Sequence, residues 1–192
     1  MAAVCVYCAS SETIDPAYLS LAQAVGARLA AGGHSLVSGG GRVSMMGAVA
    51  VAARAGGAHT VGVIPAHLMS SEVADSDADE LLVVDTMRER KQLMDERCDV
   101  VLALPGGIGT LEELFEMWTS ASLGMHDKAV IVLDADGFYA PLWRYLDTLR
   151  DRGFVRQAAL DLLHHVTSVD AAFELVESTT SVPWRDGHAH DR

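Results

Sequence analysis

The sequence predicts an α/β fold: one doubly wound parallel sheet with helices on both faces, in a single domain. Three observations point there. Short runs rich in valine and leucine show no polar alternation, the pattern of strands buried on both faces. Longer amphipathic segments separate those runs, as helical crossovers between parallel strands require. Polar or glycine-rich loops follow three of the runs, where sheets of this class hold their ligands.

In chain order, the candidate strands are Ala3–Cys8, Ser35–Val37, Thr60–Ile64, Val100–Leu104, Ala129–Leu133 and His164–Val166. Candidate helices are Ala17–Ala31, Val43–Ala55, Met87–Arg97, Ile108–Ser122, Phe138–Arg150 and Asp170–Glu177. The stretch Pro65–Asp85 is too long for an ordinary connection, so a lid or a partner-contacting loop is expected there. Its "DSDADE" lacks the glycine at the sixth position and the glutamate at the twelfth of a calcium loop. A solvated acidic loop is expected instead. The domain is expected over residues 1–180, with a polar tail over 181–192 whose two histidines read as tail and not as metal ligands.

The 192 residues are 50% hydrophobic and 21% charged, enough for one sizeable core. A formal net charge of -12 argues against non-specific binding to nucleic acid or to an anionic membrane. The start "MAAVCVYCASS" is too short and too weakly patterned for a signal peptide. No apolar run approaches the ~18 residues of a membrane span, so a cytoplasmic protein is expected. Cys5, Cys8 and Cys98 form no disulfide framework. The C-x-x-C of Cys5 and Cys8 falls within and at the end of a strand, and a buried structural role is expected for it.

The loop "SGGGRVSMMG" is no dinucleotide fingerprint, because Ser44 takes the last glycine position and the loop follows the second strand. No nucleoside-triphosphate P-loop pattern is present either. "PGGIGT" is a stronger signal: Pro105 ends a strand, and Gly106, Gly107 and Gly109 permit backbone conformations closed to other residues. Thr110 adds a hydroxyl in the first turn of the next helix. Free amides there, aligned with the helix dipole, make a site for phosphate that needs little positive charge.

On that helix Leu111, Leu114, Phe115 and Trp118 form the core-facing stripe, and Glu112, Glu113, Glu116 and Thr119 take the remaining arc. The wheel does not single out one glutamate. In the preceding helix Thr86 and Glu89 fit a capping box, which places Arg88, Arg90 and Lys91 near the helix start against the dipole. That order calls for an anionic ligand or a carboxylate partner.

Together, "PGGIGTLEE", "RERK" and "SGGGRVSMMG" resemble the LONELY GUY (LOG) family of cytokinin-activating phosphoribohydrolases, over roughly Val4 to Val166. The resemblance implies a Rossmann-type homodimer with a small-molecule nucleotide substrate and no cofactor or metal. It implies hydrolysis of the N-glycosidic bond of N6-substituted adenosine 5'-monophosphates to free base and ribose 5-phosphate. Arg90 and Glu113 become the catalytic pair. Gly106, Gly107, Gly109 and Thr110 hold the phosphate, with Lys91, Glu72, Thr119, Ser10, Gly40 and Gly41 as further substrate contacts. The chain departs from the family pattern at Arg88, where a histidine is usual, and at Ser38, Ser44 and Met45, where tyrosine, glycine and leucine are usual. A general AMP nucleosidase would use the same chemistry. A non-catalytic carrier of a nucleotide or of the molybdenum cofactor would need the glycine loops but not both Arg90 and Glu113. A pyridoxal-phosphate lysine decarboxylase needs a Schiff-base lysine, and the chain has only Lys91 and Lys128.

Overall fold

The valine- and leucine-rich runs become the strands of one parallel sheet. The structure is a computed structural model that describes residues 1–70 and 73–180. Among these, seven strands are β1 (Ala3–Tyr7), β2 (Ser35–Ser38), β3 (Thr60–Pro65), β4 (Glu80–Val84), β5 (Val100–Ala103), β6 (Ala129–Leu133) and β7 (Leu163–Val166). The helices are α1 (Pro16–Ala31), α2 (Ser44–Ala55), α3 (Met87–Glu96), α4 (Ile108–Ser122), α5 (Ala140–Asp151), α6 (Gln157–Leu160) and α7 (Val169–Thr180). Strand order is β4-β3-β2-β1-β5-β6-β7, and every pairing between them is parallel.

Side chains along each strand alternate between two buried layers. Val4, Val6, Leu36, Leu102 and Ile131 pack with α1, α2 and α7 on one face. Cys5, Tyr7, Val37, Val101 and Val130 pack with Met94 of α3, Leu114 and Trp118 of α4 and Leu146 of α5 on the other. This alternation separates the C-x-x-C pair: Cys5 and Cys8 are both buried and free, in opposite layers. Gly26 lets α1 and α2 close together, since a Cβ there would lie 2.3 Å from the Val49 carbonyl oxygen. The residues expected to form the polar tail, 181–192, lie outside the described residues.

The expected loop Pro65–Asp85 is more structured than its composition implies. It contains a helical turn at Ala66–Leu68 and ends in β4, which pairs with β3 from Val61↔Glu80 to Pro65↔Val84. β4 lies at the sheet edge and is only half buried, so its short apolar run does not stand out from the acidic segment before it. The acidic segment is not simply solvated. Asp75 is 3% exposed and takes two hydrogen bonds from Arg54, at 2.7 and 3.1 Å. Asp79 accepts from the Thr60 amide and hydroxyl at 2.8 and 3.0 Å. Gly41 bridges Ala74, which ties this connection to the second glycine loop.

His34, just before β2, is buried against Phe173, and its Nδ1 accepts the Ala2 amide at 3.1 Å. Burial lowers its pKa below the ordinary histidine value, and protonation of Nδ1 would break the Ala2 bond. Below about pH 6.5 the unfolded chain therefore binds a proton that the folded chain refuses, and stability falls with pH there. The urea midpoint is expected to drop between pH 7.5 and 5. His34→Asn, whose Oδ1 is able to accept the same amide, is expected to show a shallower drop; an unchanged slope would remove His34 as its source.

Candidate active site

The strand order reverses direction between β1 and β5, and the carboxyl ends of these strands diverge into a cavity of about 450 Å³. Cys8 to Ser11 after β1 and Pro105 to Thr110 after β5 form its floor. Met45 and Met46 of α2 and Met87 and Arg90 of α3 form one wall.

The glycine loop is folded hard against the start of α4. A Cβ on Gly106 would lie 2.1 Å from Thr110 Oγ1, and Thr110 is buried. The N-cap of α4 is Gly107, and no side chain caps this end. Uncapped first-turn amides beside a cavity are backbone donors of the kind that can hold an anion. Gly106→Ala should force the loop off Thr110 and reduce kcat/KM on a nucleotide 5'-monophosphate by roughly 100-fold, the effect of about 1 Å of misplacement. Steady-state kinetics on the folded variant would check this; parent-like kinetics would show that the loop tolerates the shift.

Arg90 is held by backbone. The Thr86 and Glu89 capping box forms as expected and fixes the start of α3. One turn later Arg90 is 5% exposed. Its Nε donates to the Val63 carbonyl at 3.2 Å and its Nη2 to the Gly39 carbonyl at 2.8 Å. Gly39 must lack a side chain for this, because a Cβ would sit 2.0 Å from Nη2. The ends of β2 and β3 thus hold the guanidinium at the cavity wall.

The three glutamates of α4 part ways. Glu112 and Glu116 clamp the Lys91 ammonium at 2.5 and 2.6 Å. Burial lowers the Lys91 pKa, but these two carboxylates outweigh it and leave it raised. Glu113 lines the cavity over the end of β1, and Glu112 also borders it. After burial, its charge is what pushes the Cys8 thiol up, and it acts in the same direction on Cys5 and Tyr7.

Ser10, Arg90, Gly106, Gly107, Gly109, Thr110 and Glu113 all line this one cavity. Other expected contacts are elsewhere. Lys91 is engaged by α4, and Thr119 is exposed about 14 Å along that helix from Thr110 at 1.5 Å per residue. Gly40 and Gly41 are buried, Gly40 with φ +73° against the β3 backbone, and neither lines the cavity. Glu72 lies outside the described residues. Sequence reasoning did not find Ser11, Tyr18, Met46, Met87 or Phe138. Of these, Tyr18 and Phe138 meet edge to face with centroids 5.9 Å apart, and Tyr18 donates to Asp136 at 2.8 Å.

Residues 46–176 match the family model described as "Possible lysine decarboxylase". A cytokinin riboside 5'-monophosphate phosphoribohydrolase of Mycobacterium marinum is 52% identical over 171 residues, covering 89% of this chain and 91% of that relative. The chain belongs to the LOG phosphoribohydrolase family. Another LOG relative, the protein of that name from Mycobacterium tuberculosis, is 52% identical over 88% of this chain and 90% of its own length. The rice enzyme LOG is 42% identical over 90% of this chain and 70% of its own. Among solved structures, the molybdenum cofactor binding protein of Rippkaea orientalis aligns with a TM-score of 0.71 at 22% identity, over 93% of this chain and 97% of that one. The molybdenum cofactor carrier protein of Chlamydomonas reinhardtii aligns at 0.72 and 19%, over 94% and 98%. These two show that this chain shares a fold with the carriers. The decarboxylase wording of the family model finds no support in the lysines of this LOG chain. Lys91 is held charged by two carboxylates, and Lys128 donates to Asp95 on the flank of α3.

Proposed function

We propose that this protein hydrolyses the N-glycosidic bond of N6-substituted adenosine 5'-monophosphates, releasing the free base and ribose 5-phosphate. The observation that carries this reading is one cavity lined by Glu113, Arg90 and an uncapped glycine-rich helix start. The 52% identity to phosphoribohydrolases supports it.

Glycosidic cleavage passes through an oxocarbenium-like transition state, with positive charge at the ribose C1'. The phosphate sits on the Gly106 to Thr110 amides, and binding energy there fixes the ribose close to Glu113. The Glu113 carboxylate faces the growing charge and orients or deprotonates the attacking water. Arg90 stabilises negative charge developing on the departing base; it does not give up a proton, because a guanidinium is too weak an acid. Ile14, Met45, Met46, Leu68, Met87 and Phe138 add apolar wall, which favours an N6-alkylated base over plain adenine. In this reading the protein works in the cytoplasm as a homodimer, and Ile108, 89% exposed beside the cavity, is covered by the second copy.

Incubation of the purified protein with N6-isopentenyl-AMP and with AMP, followed by chromatography for free base, tests the reading. Base release from both, with a higher kcat/KM for the substituted nucleotide, is expected. Equal use of AMP would make it a general nucleotide nucleosidase, and no release from either would favour a carrier.

A further inference from the structure

Ser44 stands at the entrance to α2 with φ +52°, a backbone conformation that favours glycine. A residue that keeps a side chain in such a conformation needs a compensating contact. Its Oγ donates to the Ser11 carbonyl at 2.6 Å, across 33 positions of sequence. Ser11 pairs in turn with Thr13 through their hydroxyls at 3.0 Å, and at the other end of the same loop the Ala9 amide donates to the Pro105 carbonyl at 3.2 Å. The loop after β1 is therefore tied at one end to the glycine loop and at the other to Ser44. Between those ties lies Ser10, and Ser10 and Ser11 line the same cavity as Gly106 to Thr110, whereas Ser44 itself does not line it.

We propose that Ser44 is a positioning residue: through its bond to Ser11 it sets Ser10 and Ser11 against the glycine loop, and so sets affinity for the 5'-phosphate of the nucleotide. This rests on the anion site assigned above to Gly106 to Thr110. The chemistry at C1' is not touched, so the effect falls on binding and not on turnover.

Three variants separate positioning from plain structure. Ser44→Gly and Ser44→Ala both delete the hydroxyl, but only alanine keeps the backbone penalty. Both are expected to weaken AMP by roughly 3- to 10-fold in calorimetry, the range of one lost hydrogen bond. KM for N6-isopentenyl-AMP and Ki for ribose 5-phosphate should rise in parallel, with kcat within about twofold of the parent. Melting temperature should fall by about 2–4 °C in the alanine variant and stay near the parent in the glycine variant. Ser44→Thr keeps the hydroxyl and should restore affinity even if it melts lower. Parent-like AMP affinity in both deletion variants, or a loss confined to kcat, would overturn the proposal. AMP binding by a parent protein that releases no base would overturn the hydrolase reading and leave this comparison intact; absence of AMP binding by the parent would overturn this proposal too.

Discussion

Glu113→Gln is expected to fold as the parent does and to release free base roughly 100- to 10,000-fold more slowly, the usual contribution of a positioned acid or base. The substitution keeps the shape of the side chain and removes its charge. If the carboxylate faces the oxocarbenium-like C1', the loss appears in kcat, while the Gly106 to Thr110 amides proposed to hold the phosphate are left unchanged. Glu112→Gln on the same turn is the control. That residue holds Lys91 at 2.5 Å, an exposed pair worth about 1 kcal/mol or less, and its loss should cost turnover little. Purified variants, circular dichroism and steady-state kinetics suffice. Parent-like turnover by the Glu113→Gln variant would exclude Glu113 as the catalytic carboxylate.

Arg90→Met should lower kcat/KM by roughly 100- to 1,000-fold, as loss of one preorganised donor to a developing negative charge does. Methionine keeps the buried stem and removes the guanidinium. The Val63 and Gly39 carbonyls then lose the donor they have at 3.2 and 2.8 Å. A stability loss of about 1–3 kcal/mol follows from leaving buried acceptors unmet, and a urea titration reads it separately from activity. Arg90→Lys retains charge but cannot reach both carbonyls in the planar geometry of the guanidinium, so it should recover only part of either effect. Full activity in the methionine variant would remove Arg90 from the mechanism.

The parallel sheet was legible because both of its faces are covered. Uninterrupted valine and leucine in β1, β5 and β6 leave no polar face for solvent. β4 was not legible for the opposite reason, since an edge strand carries half the burial and a fraction of the signal. The burial of Asp75 was equally hidden, because its partner Arg54 lies 21 positions away on another element. At the site, the glycine loop and the capping box showed themselves through local rules of backbone geometry. The choice among glutamates did not. Family resemblance favoured Glu113, and the fold supplies a physical contrast: Glu112 and Glu116, four residues apart, share Lys91 across the α3–α4 groove, whereas the charge of Glu113 acts on Cys8 at the end of β1, although Glu112 and Glu113 both line the cavity. The methionine wall stayed hidden because residues from α2 and α3 meet only once the sheet has formed.

The central place of β1 in the strand order bears on how the chain leaves the ribosome. β1 to β4 emerge first and pair one after another in a single direction. The other edge of β1 stays open until Val100 to Ala103 arrives, about one to three seconds after Val84 at 5–20 residues per second. During that interval a fully apolar strand presents free backbone groups, the arrangement most prone to pairing with another nascent chain. Arg90 is already synthesised by then, and Glu113 is not. Arrival of β5 closes the vulnerable edge, and α4 directly after it brings Glu113 to the cavity that Arg90 also lines, so the seam that guards against misassembly during synthesis is also the one along which the cavity is made.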